Sequence, residues 1–115
     1  MIKLDFTNFL AAQDMIKIVE KDKNLSSEEA IIFSINSNNY NQILKTGWAD
    51  IALSLWGHGG PNRKFYVMND PCFEIDFEES KLNLMKAITK KYNVSIETAV
   101  SYFLIFTMSS LDYHI

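Results

Sequence analysis

From Ser95 to Leu111 the chain reads SIETAVSYFLIFTMSSL, and no other stretch restricts the fold as much. On a helix of 3.6 residues per turn, Val100, Phe103, Leu104, Ile105, Phe106 and Met108 leave no broad polar face. A helix apolar nearly all round has to be enclosed. It falls short of the roughly 20 apolar residues that a membrane span requires, and Glu97, Ser101, Thr107, Ser109 and Ser110 interrupt it. The pattern therefore predicts a buried core helix over 95–111 with the rest of the chain packed around it. At 115 residues the whole of 1–115 is expected to form one domain. A 48% hydrophobic composition supplies an ordinary core, and the single cysteine, Cys72, rules out an internal disulfide.

The remaining elements follow from periodicity. Phe9, Ala12, Ile16 and Val19 predict a first helix ending near Glu20, capped by Asp5 or Thr7, with Gln13, Lys17 and Lys21 facing water. Ser26 and Glu29 have capping-box spacing, which favours a helix through the β-branched run at 30–35, although a buried strand fits that run as well. A loop is expected over 36–42, where asparagine is concentrated, and then a short helix at 43–44 closed by Gly47. Trp48, Ile51, Ala52 and Leu55 predict a further amphipathic helix, stopped by Trp56-Gly57-His58-Gly59-Gly60-Pro61. The period then changes to two. Residues 64–68 and 72–78, joined across Asn69-Asp70-Pro71, predict an antiparallel β-hairpin over 64–78. Phe73, Ile75 and Phe77 take one face, and Glu74, Asp76 and Glu78 the other. Leu82, Met85, Ile88 and Tyr92 then restore the helical period. No internal repeat is evident. The expected class is α+β and mostly helical: four to five helices around the C-terminal one, with a single hairpin.

Charge narrows the function. The net charge is −3, and Arg63 is the one arginine among 11 basic residues, so the clustered basic footprint of a nucleic-acid binder is missing. Met1–Leu10 contains Lys3 and Asp5 rather than an apolar export segment, which points to the cytoplasm. Asp70, Glu74, Asp76, Glu78 and Glu79 crowd residues 70–79 with no base among them, whereas the rest of the chain carries nine acids against eleven bases. Three readings fit such a ladder: a solvated strand face, a docking surface for a basic protein, or a metal or acid–base site. The spacing for a calcium loop is absent, and with one cysteine and the histidines His58 and His114, no zinc pattern arises. Neither a cofactor nor a metal is expected. His58-Gly59-Gly60 is similar to an oxyanion-hole loop, but no Gly-x-Ser-x-Gly elbow accompanies it.

The small size, the Met1 start, the Lys-, Ile- and Asn-rich usage and the acidic run DPCFEIDFEES (Asp70–Ser80) resemble small bacterial immunity proteins, such as those of contact-dependent growth-inhibition systems. The resemblance implies a non-enzymatic protein that neutralises a toxin by covering a basic surface. It carries over no site residue, because proteins of this class have many unrelated folds. The residues expected to face the partner are Asp70, Glu74, Asp76, Glu78 and Glu79, with Trp56 and His58 beside them. Two alternatives are a phage-type inhibitor of a host nuclease and a small hydrolase or transferase using His58 and Cys72. An oligomeric scaffold is a third.

Overall fold

The computed structural model describes residues 1–37, 46–58 and 65–111. In chain order these form β1 (Ile2–Asp5), α1 (Leu10–Lys23), α2 (Ser27–Asn36), α3 (Thr46–His58), β2 (Cys72–Ile75), α4 (Glu79–Tyr92) and α5 (Ile96–Ser110). The class is α+β and mostly helical, with one two-stranded antiparallel sheet. The loop expected at 36–42 lies largely outside the described residues, as do the helix at 43–44, the run Gly59–Pro61 and His114.

Helix α5 holds the centre. Ala99 through Met108 are buried without interruption, and α1, α2, α3, α4 and β1 all pack on it. Its buried serine and threonine hydroxyls are satisfied within the helix: Ser101 Oγ donates to Glu97 O at 2.8 Å, and Thr107 Oγ1 to Phe103 O at 2.9 Å. Those bonds let Ser101 and Thr107 sit inside without the cost of unpaired polar groups. Ser95 caps it by accepting from Thr98 N at 3.2 Å. Among the described residues no helix is long and apolar enough to cross a membrane.

The sheet departs from the expected hairpin. Residues 65–68 form no strand, and β2 pairs instead with the N-terminal β1, in the register Ile2–Ile75, Lys3–Glu74, Leu4–Phe73 and Asp5–Cys72. The alternation was read correctly, since Phe73 and Ile75 are buried while Cys72 and Glu74 are exposed. The partner strand was not. Segment 65–68 is drawn away by bonds to α1: Asp14 Oδ1 accepts from Tyr66 N at 3.0 Å and Gln13 Oε1 from Met68 N at 2.9 Å. Asp5 and Thr7 cap no helix either. Asp5 Oδ1 accepts from the Thr7 N–H and hydroxyl, and α1 starts after Phe9 without a side-chain cap. At 26–29 the capping box is present and 30–35 is helical. Gly47 lies inside α3 rather than ending a helix, and α3 continues through Gly57 to His58.

The structure also exposes a repeat. Each half runs strand, 14-residue helix, Asn-apolar-Ser, helix. Asn24-Leu25-Ser26 joins α1 to α2 and Asn93-Val94-Ser95 joins α4 to α5, 69 residues later. Both asparagines are left-handed, with φ of 56° and 53°, a conformation asparagine tolerates better than most side chains. Both serines are N-caps. At the same offset Leu4 matches Phe73, Ile16 matches Met85, Val19 matches Ile88, Ala30 matches Ala99 and Ile31 matches Val100. All ten are buried. Leu4 and Phe73 are also register partners, so the sheet joins the two halves back to back.

Candidate protein-binding surface

The acidic stretch runs along β2 and into α4, and all five of its carboxylates are exposed: Asp70, Glu74, Asp76, Glu78 and Glu79. Burial of Phe73 and Ile75 forces Glu74 and Asp76 outward, because successive strand side chains alternate. Lys3, across the ladder, places its Nζ 3.7 Å from Glu74 Oε1, with both side chains largely in water. Asp76 is 84% exposed. Glu78 occupies the N-cap position of α4 without a side-chain cap bond, and Glu79 lies in its first turn, where the helix dipole favours a carboxylate. Strand geometry ends at Ile75, so the even ladder expected through Glu78 stops at Glu74, and the remaining acids follow the turn into α4.

Beside the acids, Lys3, Leu4, Asp5, Cys72, Phe73 and Glu74 line a depression of about 370 Å³ along the ribbon. Cys72 is exposed there. Its Sγ lies 3.5 Å from Asp5 Oδ1. Local desolvation, the bond to Asp5 and the charges of Asp5 and Asp70 push the thiol up from its ordinary value. Asp5 itself is held below the usual carboxylate range by its bonds from Thr7 and from Cys72. A thiol with less thiolate at neutral pH is the reverse of an activated nucleophile. The His58 side chain lies outside the described residues. Among the described residues no group of three or more His, Cys, Asp or Glu could hold a metal ion.

Trp56 does not belong to this surface. It is 1% exposed, and its Nε1–H donates to Asp14 Oδ2 at 2.8 Å, so it is a core residue and not a partner contact. The face of α3 turned inward is Ala49, Ala52 and Trp56. Of the expected stripe Trp48, Ile51, Ala52 and Leu55, Ala52 is buried, whereas Trp48, Ile51 and Leu55 are 45%, 64% and 58% exposed. Ala49 and Ala52 permit close approach to α5, while Trp48 lies flat on Phe106 with ring centroids 5.7 Å apart. Sequence reasoning also missed Gln13 and Asp14, placing Gln13 in water. Both are buried, and Gln13 Nε2 also donates to Phe6 O at 2.8 Å. The repeat offers a signal: the matching positions in α4 are Leu82 and Asn83, so the first half alone carries this polar pair.

Compared with protein-family models, with curated proteins and with solved structures, the chain finds no match.

Proposed function

We propose that this chain is a non-enzymatic binding protein that neutralises a bacterial toxin by covering a basic surface on it, in the manner of the immunity proteins it resembles. The observation that supports this reading is the exposure of all five carboxylates at 70–79: Glu74 has Lys3 and Asp76 has the N-terminal ammonium within ion-pair reach, both pairs largely in water, and Asp70, Glu78 and Glu79 have no such cation among the described residues. An excess of charge of one sign on an exposed surface accelerates encounter with an oppositely charged protein and rejects acidic competitors. The fitting partner is a toxin or nuclease domain, which needs cationic side chains to hold phosphate. Binding would take place in the cytoplasm, without cofactor or metal and without direct contact to nucleic acid.

The test is the triple change Glu74→Gln, Asp76→Asn and Glu78→Gln. Affinity for a toxin domain encoded beside this gene is measured by calorimetry at several salt concentrations. The reading expects weaker binding and a flatter salt dependence in the variant, because screening acts only on charges that are present. Equal affinity and equal salt slope would remove the acidic surface from the account.

A further inference from the structure

The hydrogen-bond phase of the sheet shows which backbone groups are left over. Phe6 N donates to Pro71 O at 2.9 Å, one step beyond the ladder and in register with it. In an antiparallel pair, bonded and non-bonded positions alternate. Leu4–Phe73 and Ile2–Ile75 are therefore bonded pairs, and the N–H and C=O groups of Lys3, Asp5, Cys72 and Glu74 point away from the ribbon. On the β1 side that edge is partly closed, since Asp5 N donates to Glu97 Oε2 at 3.0 Å. The repeat gives Glu74 as the counterpart of Asp5 and Glu28 as the counterpart of Glu97. The matching bond is not made. Glu28 is exposed, and the outward N–H and C=O groups of Cys72 and Glu74 meet no hydrogen-bonding partner among the described residues.

We infer that the open edge of β2 takes up an extended segment of the partner as a third strand, a segment with lysine or arginine alternating with apolar residues. This rests on the acidic-surface reading and specifies how the partner is held. Main-chain bonds to Cys72 and Glu74 supply the anchor, as in other cases of strand addition. Side chains alternate across the new strand, so one row stands beside Glu74 and Asp76 and the other beside Phe73 and the half-buried Phe77. The first row selects cations and the second selects apolar groups. A second copy of this chain is a poor occupant, because pairing β2 with β2 would set Glu74 and Asp76 against their own kind.

The probe is a capped eight-residue peptide alternating lysine with valine, titrated to millimolar concentration into the ¹⁵N-labelled protein. The inference expects the amides of Cys72 and Glu74 to shift and to gain protection from hydrogen exchange. Cys72→Pro removes one outward N–H while leaving the bonds to β1 intact, and it should weaken binding at least tenfold; Cys72→Ala should not. Glu74→Pro compared with Glu74→Gln repeats the test at the second amide, should either proline disturb folding. Absence of any shift at these amides overturns the inference, as does proline-insensitive binding. So does a homodimer in sedimentation that loses its contact on Cys72→Pro. If binding survives both prolines but falls when Glu74, Asp76 and Glu78 are neutralised, the strand is wrong and the acidic surface stands. If the prolines abolish binding and neutralisation does nothing, the edge stands and the acidic surface falls.

Discussion

Replacing Asp14 with alanine strips the acceptor from two donors of the described residues at once. Oδ2 accepts from the Trp56 indole at 2.8 Å and Oδ1 from the Tyr66 amide at 3.0 Å, and Asp14 is buried. A buried donor left unpaired costs about 1–3 kcal/mol, which applies in full to the Trp56 indole, whereas the part-buried Tyr66 amide can turn to water and adds less. Against a total folding stability on the order of 5–15 kcal/mol, that change is large. Asp14→Asn makes the sharper test. It preserves shape, but one of its two positions becomes an NH2 that faces a donor, so it should lose a large part of the same energy. Urea denaturation followed by far-ultraviolet circular dichroism measures both variants. A cycle with Trp56→Phe isolates the indole bond, with an expected coupling of about 1.5–3 kcal/mol for a bond to a charged acceptor. A loss below 1 kcal/mol for both Asp14 variants, or a coupling near zero, would refute the claim that this pair ties α1 to α3 and to segment 65–68.

Three other outcomes follow from the geometry. Tyr102 OH donates to Asp50 Oδ1 at 3.2 Å, and burial followed by the charge of Asp50 pushes the phenol up to about 12. The folded value therefore lies above the unfolded one, so this contribution to stability is complete below about pH 10 and fades between about pH 10 and 12; spectrophotometric titration should show Tyr102 ionising late, and Asp50→Ala should move it down. Cys72 should label slowly at neutral pH despite its exposure, and Asp5→Ala should speed the reaction by removing both a bond and a charge that hold the thiol up, as the pH dependence of an aromatic disulfide reagent would reveal. Ser26→Ala and Ser95→Ala should each cost about 1 kcal/mol, and their double variant about the sum, because the two caps lie in separate halves.

How far the fold was legible depended on whether the causes were local. The α5 core and the Ser26–Glu29 box could be read directly because periodicity and capping operate within one turn or one helix. The alternation at 72–75 was equally plain, yet the identity of its partner strand was not. Ile2–Asp5 is four residues long, too short to announce itself, and the nearer candidate 65–68 is held elsewhere by Gln13 and Asp14. Gln13 reads as surface, and Asp14 gives no signal, because nothing in α1 itself reveals that a segment 52–55 residues away will cover them. In α3 two apolar stripes compete, and close packing chose the one with alanines over the larger side chains of Trp48, Ile51 and Leu55. The exposed acids were found from charge alone. The openness of the β2 edge was not, since it depends on hydrogen-bond phase, which only the pairing defines.

The junction of the sheet has a kinetic side. Each helical pair, α1 with α2 and α4 with α5, can form from contacts close in sequence, whereas the ribbon must bring Ile2–Asp5 to Cys72–Ile75. Closing a loop of nearly 70 residues costs about 4 kcal/mol in chain entropy before any ladder bond is made. The ribbon is therefore expected to assemble late, once the paired helices have docked on α5. The depression, the positions of Glu74 and Asp76 and the unpaired edge all belong to that last-formed piece. A nascent or partly unfolded chain would hold its helices and still present no such surface, so the partner binding proposed above would double as a report that both halves have arrived.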